Sequence, residues 1–278
     1  VTGRPGDVCG LHFFSPANVM RLLEVVRGGA TADDTLATAL ALGKRLGKLA
    51  VVARVGEGFI GNRIFAAYRR QMEFLLEEGC LPQQVDLALE AWGLAMGPFA
   101  VFDLTGLEVA WKTRQRQAAT RDPRARYASI ADRLCEAGRF GQKAGLGWYK
   151  HAPGARRGEP DPAVEAIIVA ARAEKGVVAR TFTDQEIVSR ALAAMVNEAC
   201  LLLEEGIAQR ASDVDIALVN GYGFPAWRGG PLFAAELKGL AQVLKDVEAL
   251  CAASGFGFAP APLLVRAVTQ GKSLAEAM

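Results

Sequence analysis

Short apolar runs with β-branched or aromatic content, at Val8–Phe14, Leu22–Val26 and Leu49–Val55, predict strands. Between the last two, Thr31–Lys48 predicts a helix. Leu36, Leu40 and Leu46 supply its apolar face, Thr31 with Asp34 is a weak capping signal, and Gly47 closes it. Strand–helix–strand alternation belongs to an α/β sheet. After Gly58 the apolar period changes to three and four residues. Ile64, Tyr68, Met72 and Leu75 mark one face of a helix over Ile60–Glu78, with Gly79 as its stop. A second helix starts near Pro82 and buries Val85, Leu89 and Trp92; Gly93 and Gly97–Pro98 break it, and another helical stretch runs through Trp111. Gly138–Pro162 has the weakest periodicity and is rich in Gly, Pro and Arg, which predicts a linker or surface excursion.

Past that segment the pattern repeats. NRIFAAYRRQMEFLLEEG (62–79) parallels SRALAAMVNEACLLLEEG (189–206), and QQVDLALEAWGLAMGPF (83–99) parallels SDVDIALVNGYGFPAWRGGPLF (212–233). The matches fall on helix faces, the stop glycine, the VD-x-AL segment and the Gly-Pro break, in one order that shared amphipathicity alone would not reproduce. Thr183–Glu186 is a capping box opening the second copy. Two copies of one helical unit are predicted.

Composition narrows the classes. The 278 residues suit one large or two medium domains, and 51% apolar with 22% charged residues implies a substantial core. A net charge of +2 argues against a coat for nucleic acid or an anionic membrane. No apolar run approaches the ~18 residues of a membrane span. Cys9, Cys80, Cys135, Cys200 and Cys251 are far apart and without ligand-like spacing, so they read as buried thiols of a reducing cytosol, with no metal site. Nothing near Val1 resembles a signal peptide, and VTGRPGDVCGLHFFSP reads as a chain taken up partway through a domain.

Few residues could carry chemistry. His151 stands in the Gly/Pro/Arg segment and is expected to be solvated. His12 ends a predicted strand, where open α/β sheets place ligands, although a histidine flanked by Leu11 and Phe13–Phe14 also suits a structural role. Glu24 interrupts the apolar run LLEVV and needs a partner, because an unpaired buried carboxylate is costly. His12 is the nearest candidate, and the pair would orient the imidazole for proton transfer. Asn62 opens the long helix as a cap or as a hydrogen-bonding group for a ligand.

HFFSP (12–16), LLEVVRG (22–28), GKLAVV (47–52), GEGFIGNR (56–63), GLAMGPFAVFDLTGLE (93–108) and FGQKAGLGWYK (140–150) resemble L-3-hydroxyacyl-CoA dehydrogenases over nearly the whole chain. The second helical copy resembles the C-terminal duplication of multifunctional fatty-acid-oxidation proteins, in which an enoyl-CoA hydratase domain precedes the dehydrogenase. The resemblance implies a mainly α chain: a remnant of a Rossmann α/β domain (1–55) followed by two related helical domains (56–155 and 156–278). By motif, it implies that His12 is the catalytic base, Glu24 the carboxylate paired with it, and Asn62 a substrate contact. Ser15 stands where the family usually has an asparagine that meets the cofactor NAD. Tyr222, in GYGFP of the second copy, would approach the substrate. The implied activity is NAD-dependent oxidation of 3-hydroxyacyl-CoA to 3-oxoacyl-CoA in β-oxidation.

A dinucleotide site is defined by G-x-G-x-x-G after a strand with an acidic residue ~20 positions on. That pair is not read in this chain, and Gly141–Gly147 lacks both contexts. The cofactor-binding half is therefore expected to be absent, with little NAD binding or activity in the chain alone. Arg69, Arg70, Arg156 and Arg157 are candidates for CoA phosphates but fit solvated charges better. Expected partners are an acyl-CoA substrate, with a homodimer or a thiolase subunit as assembly partners; the expected compartment is the cytoplasm. Two alternatives remain, a single-function 3-hydroxybutyryl-CoA dehydrogenase and a non-catalytic helical assembly module.

Overall fold

The computed structural model describes residues 2–278. Three strands, β1 (Gly10–Phe13), β2 (Leu22–Arg27) and β3 (Leu49–Arg54), form a sheet in that order. β1 runs antiparallel to β2, and β3 runs parallel to it. A parallel pair needs a crossover, and α1 (Asp33–Arg45) supplies it. The other helices are α2 (Gly61–Glu78), α3 (Pro82–Trp92), α4 (Pro98–Thr105), α5 (Glu108–Ala118), α6 (Ile130–Glu136), α7 (Pro162–Lys175), α8 (Asp184–Glu204), α9 (Ala211–Gly221), α10 (Pro231–Lys238), α11 (Leu240–Ser254), α12 (Pro262–Gln270) and α13 (Leu274–Ala277).

The chain forms two compact units that do not follow sequence order. One holds the chain up to Tyr68, Leu192–Leu250 and Ala259–Met278. The other holds Arg69–Ala191 and Cys251–Phe258. In the first unit, Leu23, Val25 and Ala39 form a core ringed by Leu11, Leu36, Leu40 and Ala50. Gly43 lets α1 lie close to the sheet, since a Cβ there would stand 3.1 Å from Leu23. The other side of the sheet is met by the second helical copy: α9 packs on β2 and β3, and Arg54 N donates to Ile207 O at 2.9 Å. In the second unit Phe99, Trp148, Leu134 and Ile130 are fully enclosed, with the Phe99 and Trp148 rings 4.6 Å apart.

The duplication is visible in bonding. Asp86 on α3 accepts from the backbone N–H groups of Phe99 and Ala100 (3.0 and 2.9 Å), at the start of α4. Asp215 on α9 accepts from those of Leu232 and Phe233 (2.8 and 3.1 Å), at the start of α10. Each is the aspartate of a VD-x-AL segment, and each satisfies orphan donors of a helix that opens with Gly-Pro. Gly97 and Gly230 are required there, because a Cβ on either would lie 2.3 Å from the aspartate Cβ. The capping box opening α8 also forms: Glu186 N donates to Thr183 Oγ1, and Thr183 N to Glu186 Oε2.

Several expectations need correction. Thr31 does not cap α1. Its hydroxyl donates to Val8 O and accepts from Gly28 N, tying the turn after β2 to the segment before β1. Leu46 lies past the end of α1 and is half exposed. Gly138–Pro162 is not a linker. Trp148 and Tyr149 are buried, and their N–H groups donate to Asp103 at 2.8 and 2.9 Å. Its glycines permit close packing: a Cβ on Gly147 would lie 2.1 Å from Asp103 Oδ1. His151 is likewise enclosed, with Nε2 2.8 Å from Asp103 Oδ2. Arg69 is half-buried beside Glu73 and over the Phe102 ring, whereas Arg70, Arg156 and Arg157 are exposed as expected. Cys80, Cys135, Cys200 and Cys251 are buried free thiols and Cys9 is half-buried; burial pushes Cys80 and Cys200 up to about 12.

Candidate active site

The antiparallel register of β1 and β2 sets His12 opposite Glu24. β2 is buried through its first five residues, so Glu24 has no access to water and must be satisfied internally. Its two oxygens divide the task. Oε2 lies 2.6 Å from His12 Nδ1, and Oε1 accepts from Gly61 N at 2.9 Å, at the first turn of α2. A carboxylate accepting on both oxygens requires Nδ1 to carry the hydrogen, which leaves Nε2 as the ring's basic nitrogen. The His12 side chain keeps 29% of its surface accessible, so the pair is anchored at one end and open at the other.

Aromatic rings fix the imidazole. Phe14 lies 4.6 Å and Phe59 5.5 Å from it, centroid to centroid. Phe59 has φ of 49°, a conformation unfavourable for a bulky side chain, in the turn between β3 and α2. Phe14 also meets Tyr222 edge-on at 5.5 Å, and Phe65 meets Tyr222 at 5.6 Å.

Tyr222 follows α9, and its hydroxyl donates to Asn62 Oδ1 at 2.6 Å. Burial, with the Glu24 charge adding, holds the phenol well above its usual range, so it acts as a neutral donor. With Oδ1 engaged, the Asn62 amide keeps its Nδ2 hydrogens for another acceptor. Gly61 makes the approach possible, since a Cβ there would lie 2.1 Å from the Tyr222 ring.

His12, Glu24, Asn62 and Tyr222 thus form one connected site within one unit. Ser15 stands exposed two residues past β1, after Phe14. Sequence reasoning missed Gly61, whose N–H and lack of Cβ both serve the site. It also missed that Gly56, Gly58 and Gly61 spell G-x-G-x-x-G between β3 and α2, against the expectation that no such run follows a strand. That run does not build a phosphate cradle. The Gly61 N–H is taken by Glu24, a Cβ on Gly56 would lie 2.6 Å from Ile207, and α2 leads to α3, not to a strand bearing an acidic residue.

The chain is similar to known proteins over most of its length. The profile of the 3-hydroxyacyl-CoA dehydrogenase C-terminal domain matches twice, at residues 58–151 and 187–276. That of the NAD binding domain of the same enzymes matches residues 1–67. The chain is 46% identical over 260 residues to the peroxisomal bifunctional enzyme of Danio rerio and 42% identical over 259 to that of Homo sapiens. These alignments cover 89% of the chain but only 36% of either relative. Among solved structures, the dehydrogenase part of multifunctional enzyme 1 from C. elegans aligns with a TM-score of 0.61 and 31% identity, over 81% of this chain and 50% of that one. The 3-hydroxybutyryl-CoA dehydrogenase of Escherichia coli shares the fold, with a TM-score of 0.74 at 24% identity, over 95% of this chain and 71% of that one.

Proposed function

The chain belongs to the 3-hydroxyacyl-CoA dehydrogenase family, and from that premise we propose that it carries the proton-transfer and substrate-holding part of an L-3-hydroxyacyl-CoA dehydrogenase of β-oxidation. The observation that carries this reading is the hydrogen-bonded series His12–Glu24–Gly61. In the oxidative direction, His12 Nε2 takes the proton of the substrate's 3-hydroxyl while Glu24 holds Nδ1–H and steadies the imidazolium formed. In the reductive direction, the same nitrogen returns the proton to the developing alkoxide. The Asn62 amide, fixed through Oδ1 by Tyr222, donates from Nδ2 to the substrate and keeps the reacting carbon in register with His12. Phe14, Phe59 and Phe65 keep bulk water from the imidazole and the phenol.

NAD supplies the hydride acceptor in this chemistry. Ser15, exposed two residues past the strand that carries His12, would be a contact for that group. The glycine turn before α2 does not fit its phosphates, as its helix N-terminus is filled by Glu24 and Tyr222. The two helical-domain matches support a division into 1–55, 56–155 and 156–278 and a setting in a fused hydratase–dehydrogenase. An acyl-CoA is the substrate in this reading, and a second copy of the chain or a thiolase subunit is the assembly partner. No described helix is long and apolar enough to cross a membrane. Five free thiols fit a reducing compartment, with the cytoplasm the one proposed.

The test supplies 3-hydroxybutyryl-CoA and NAD to the natural gene product that contains these residues and follows NADH. Formation of 3-oxobutyryl-CoA with equal NADH supports the reading. A protein that binds both reactants without turning them over contradicts it.

A further inference from the structure

We propose that Arg63 is a positioning residue, whose grip on α8 holds the first turn of α2 and with it the Asn62 amide. This rests on the reading of Asn62 given above. Arg63 Nε meets Glu198 Oε1 at 2.5 Å, and its two terminal nitrogens meet the two oxygens of Glu205 at 2.5 and 2.8 Å. A guanidinium held on three nitrogens by two carboxylates has little freedom left, because the planar fork fixes direction as well as distance. These contacts raise the guanidinium above its ordinary value, so it stays charged. Asn62 itself is exposed, and its side chain is held at Oδ1 by Tyr222. Its backbone position is set by the residues on either side. Gly61 N is held by Glu24, and Arg63 N donates to Gly58 O at 3.1 Å. The Arg63 side chain ties that turn to Glu198 on α8 and to Glu205 just past its end.

The duplication supplies a control. When 62–79 is laid on 189–206, Arg63 falls on Arg190, Gln71 on Glu198 and Glu78 on Glu205. Arg190 makes the matching grip in the other unit: Nε to Gln71 Oε1 at 3.1 Å, and its terminal nitrogens to Glu78 at 2.6 and 2.9 Å. The residue before Arg190 is Ser189, whose hydroxyl accepts from Gln185 and which belongs to no site. A purely structural role would make the two arginines equivalent. A positioning role separates them.

The experiment compares Arg63→Gln, Arg63→Lys and Arg190→Gln in the natural gene product, reading three quantities. These are urea stability, kcat and KM for NADH-dependent reduction of acetoacetyl-CoA, and hydrogen exchange of the segment 58–66. Both glutamine variants lose stability. Arg63→Gln is expected to lower kcat/KM about tenfold or more and to speed exchange in 58–66. Arg63→Lys restores part of the stability without restoring kcat, since an ammonium cannot form the fork. Arg190→Gln leaves kcat and KM within about twofold and leaves exchange in 58–66 unchanged. Equal losses of kcat/KM in the two glutamine variants overturn the proposal. So does unchanged exchange in 58–66 for Arg63→Gln, which is decisive even if the unmodified protein shows no turnover. That last result would count against the proposed dehydrogenase activity, not against Arg63.

Discussion

His12 and Glu24 face each other across the β1–β2 ladder, joined at 2.6 Å, and the same carboxylate accepts the N–H of Gly61 at the start of α2. Glu24 therefore links the strand that carries His12 to the helix that carries Asn62. Glu24→Gln should damage the site beyond the loss of charge. If the amide oxygen keeps the Gly61 N–H, the amide NH2 is turned toward Nδ1 and forces the ring into the tautomer with hydrogen on Nε2. We expect kcat to fall about 100-fold or more, within the range a general base contributes. Stability should fall by about 1–3 kcal/mol. Steady-state kinetics with chemical denaturation checks both.

Tyr222→Phe removes one hydroxyl and nothing else. The hydrogen bond to Asn62 Oδ1 is lost while the contacts with Phe14 and Phe65 remain. The expected stability loss is about 1 kcal/mol. KM for acetoacetyl-CoA should rise several-fold, because the freed amide no longer keeps its donor in one direction. An unchanged KM would detach Tyr222 from substrate holding.

Gly61→Ala is the steric counterpart. The new methyl would lie 2.1 Å from the Tyr222 ring, so the ring must move. Overpacking of this kind costs about 1–3 kcal/mol. The displaced phenol should also reproduce the KM effect of Tyr222→Phe, and the double variant should add little in KM to either single change.

Two equivalent aspartates set a pH dependence of stability. Burial pushes Asp86 up to about 7 and Asp215 up to about 6, from 3.8, although both accept backbone hydrogen bonds. A raised carboxyl binds its proton more tightly folded than unfolded, so unfolding releases protons and stability falls as pH rises from about 4 to 7. Arginine contacts hold the carboxyls of Glu78 and Glu205 below their ordinary value, so their contribution is lost on acidification and is present at both pH 5 and pH 7.5. The unfolding free energy in urea should therefore be greater at pH 5 than at pH 7.5. Asp215→Asn should flatten the fall.

Much of this was legible in the chain. The apolar period placed α2, whose face Ile64, Tyr68, Met72 and Leu75 is buried, and the three strands fall where short β-branched runs stand. The pairing of Glu24 with His12 was readable because a carboxylate in an apolar strand demands a partner. What escaped has a common cause. Trp148, Tyr149 and His151 lie in a segment of isolated bridges and glycine-enabled close approaches, which has no period to read. Gly56, Gly58 and Gly61 form a phosphate-binding pattern by letter, yet Ile207 and Tyr222, far along the chain, fill the space that Gly56 and Gly61 leave. Only the tertiary structure reveals that. Arg63 carried no signal by itself; the repeat that pairs it with Arg190 did.

The central claim is that His12 moves the substrate's proton while the rest of the site holds it in place. Its most direct test follows NADH loss on acetoacetyl-CoA with the natural gene product and its His12→Ala variant, with fold and NADH binding verified in both. The account predicts turnover in the unmodified protein and a loss of about 10²–10⁴-fold in kcat for His12→Ala. Comparable kcat in the two proteins would remove His12 from the reaction and contradict the account.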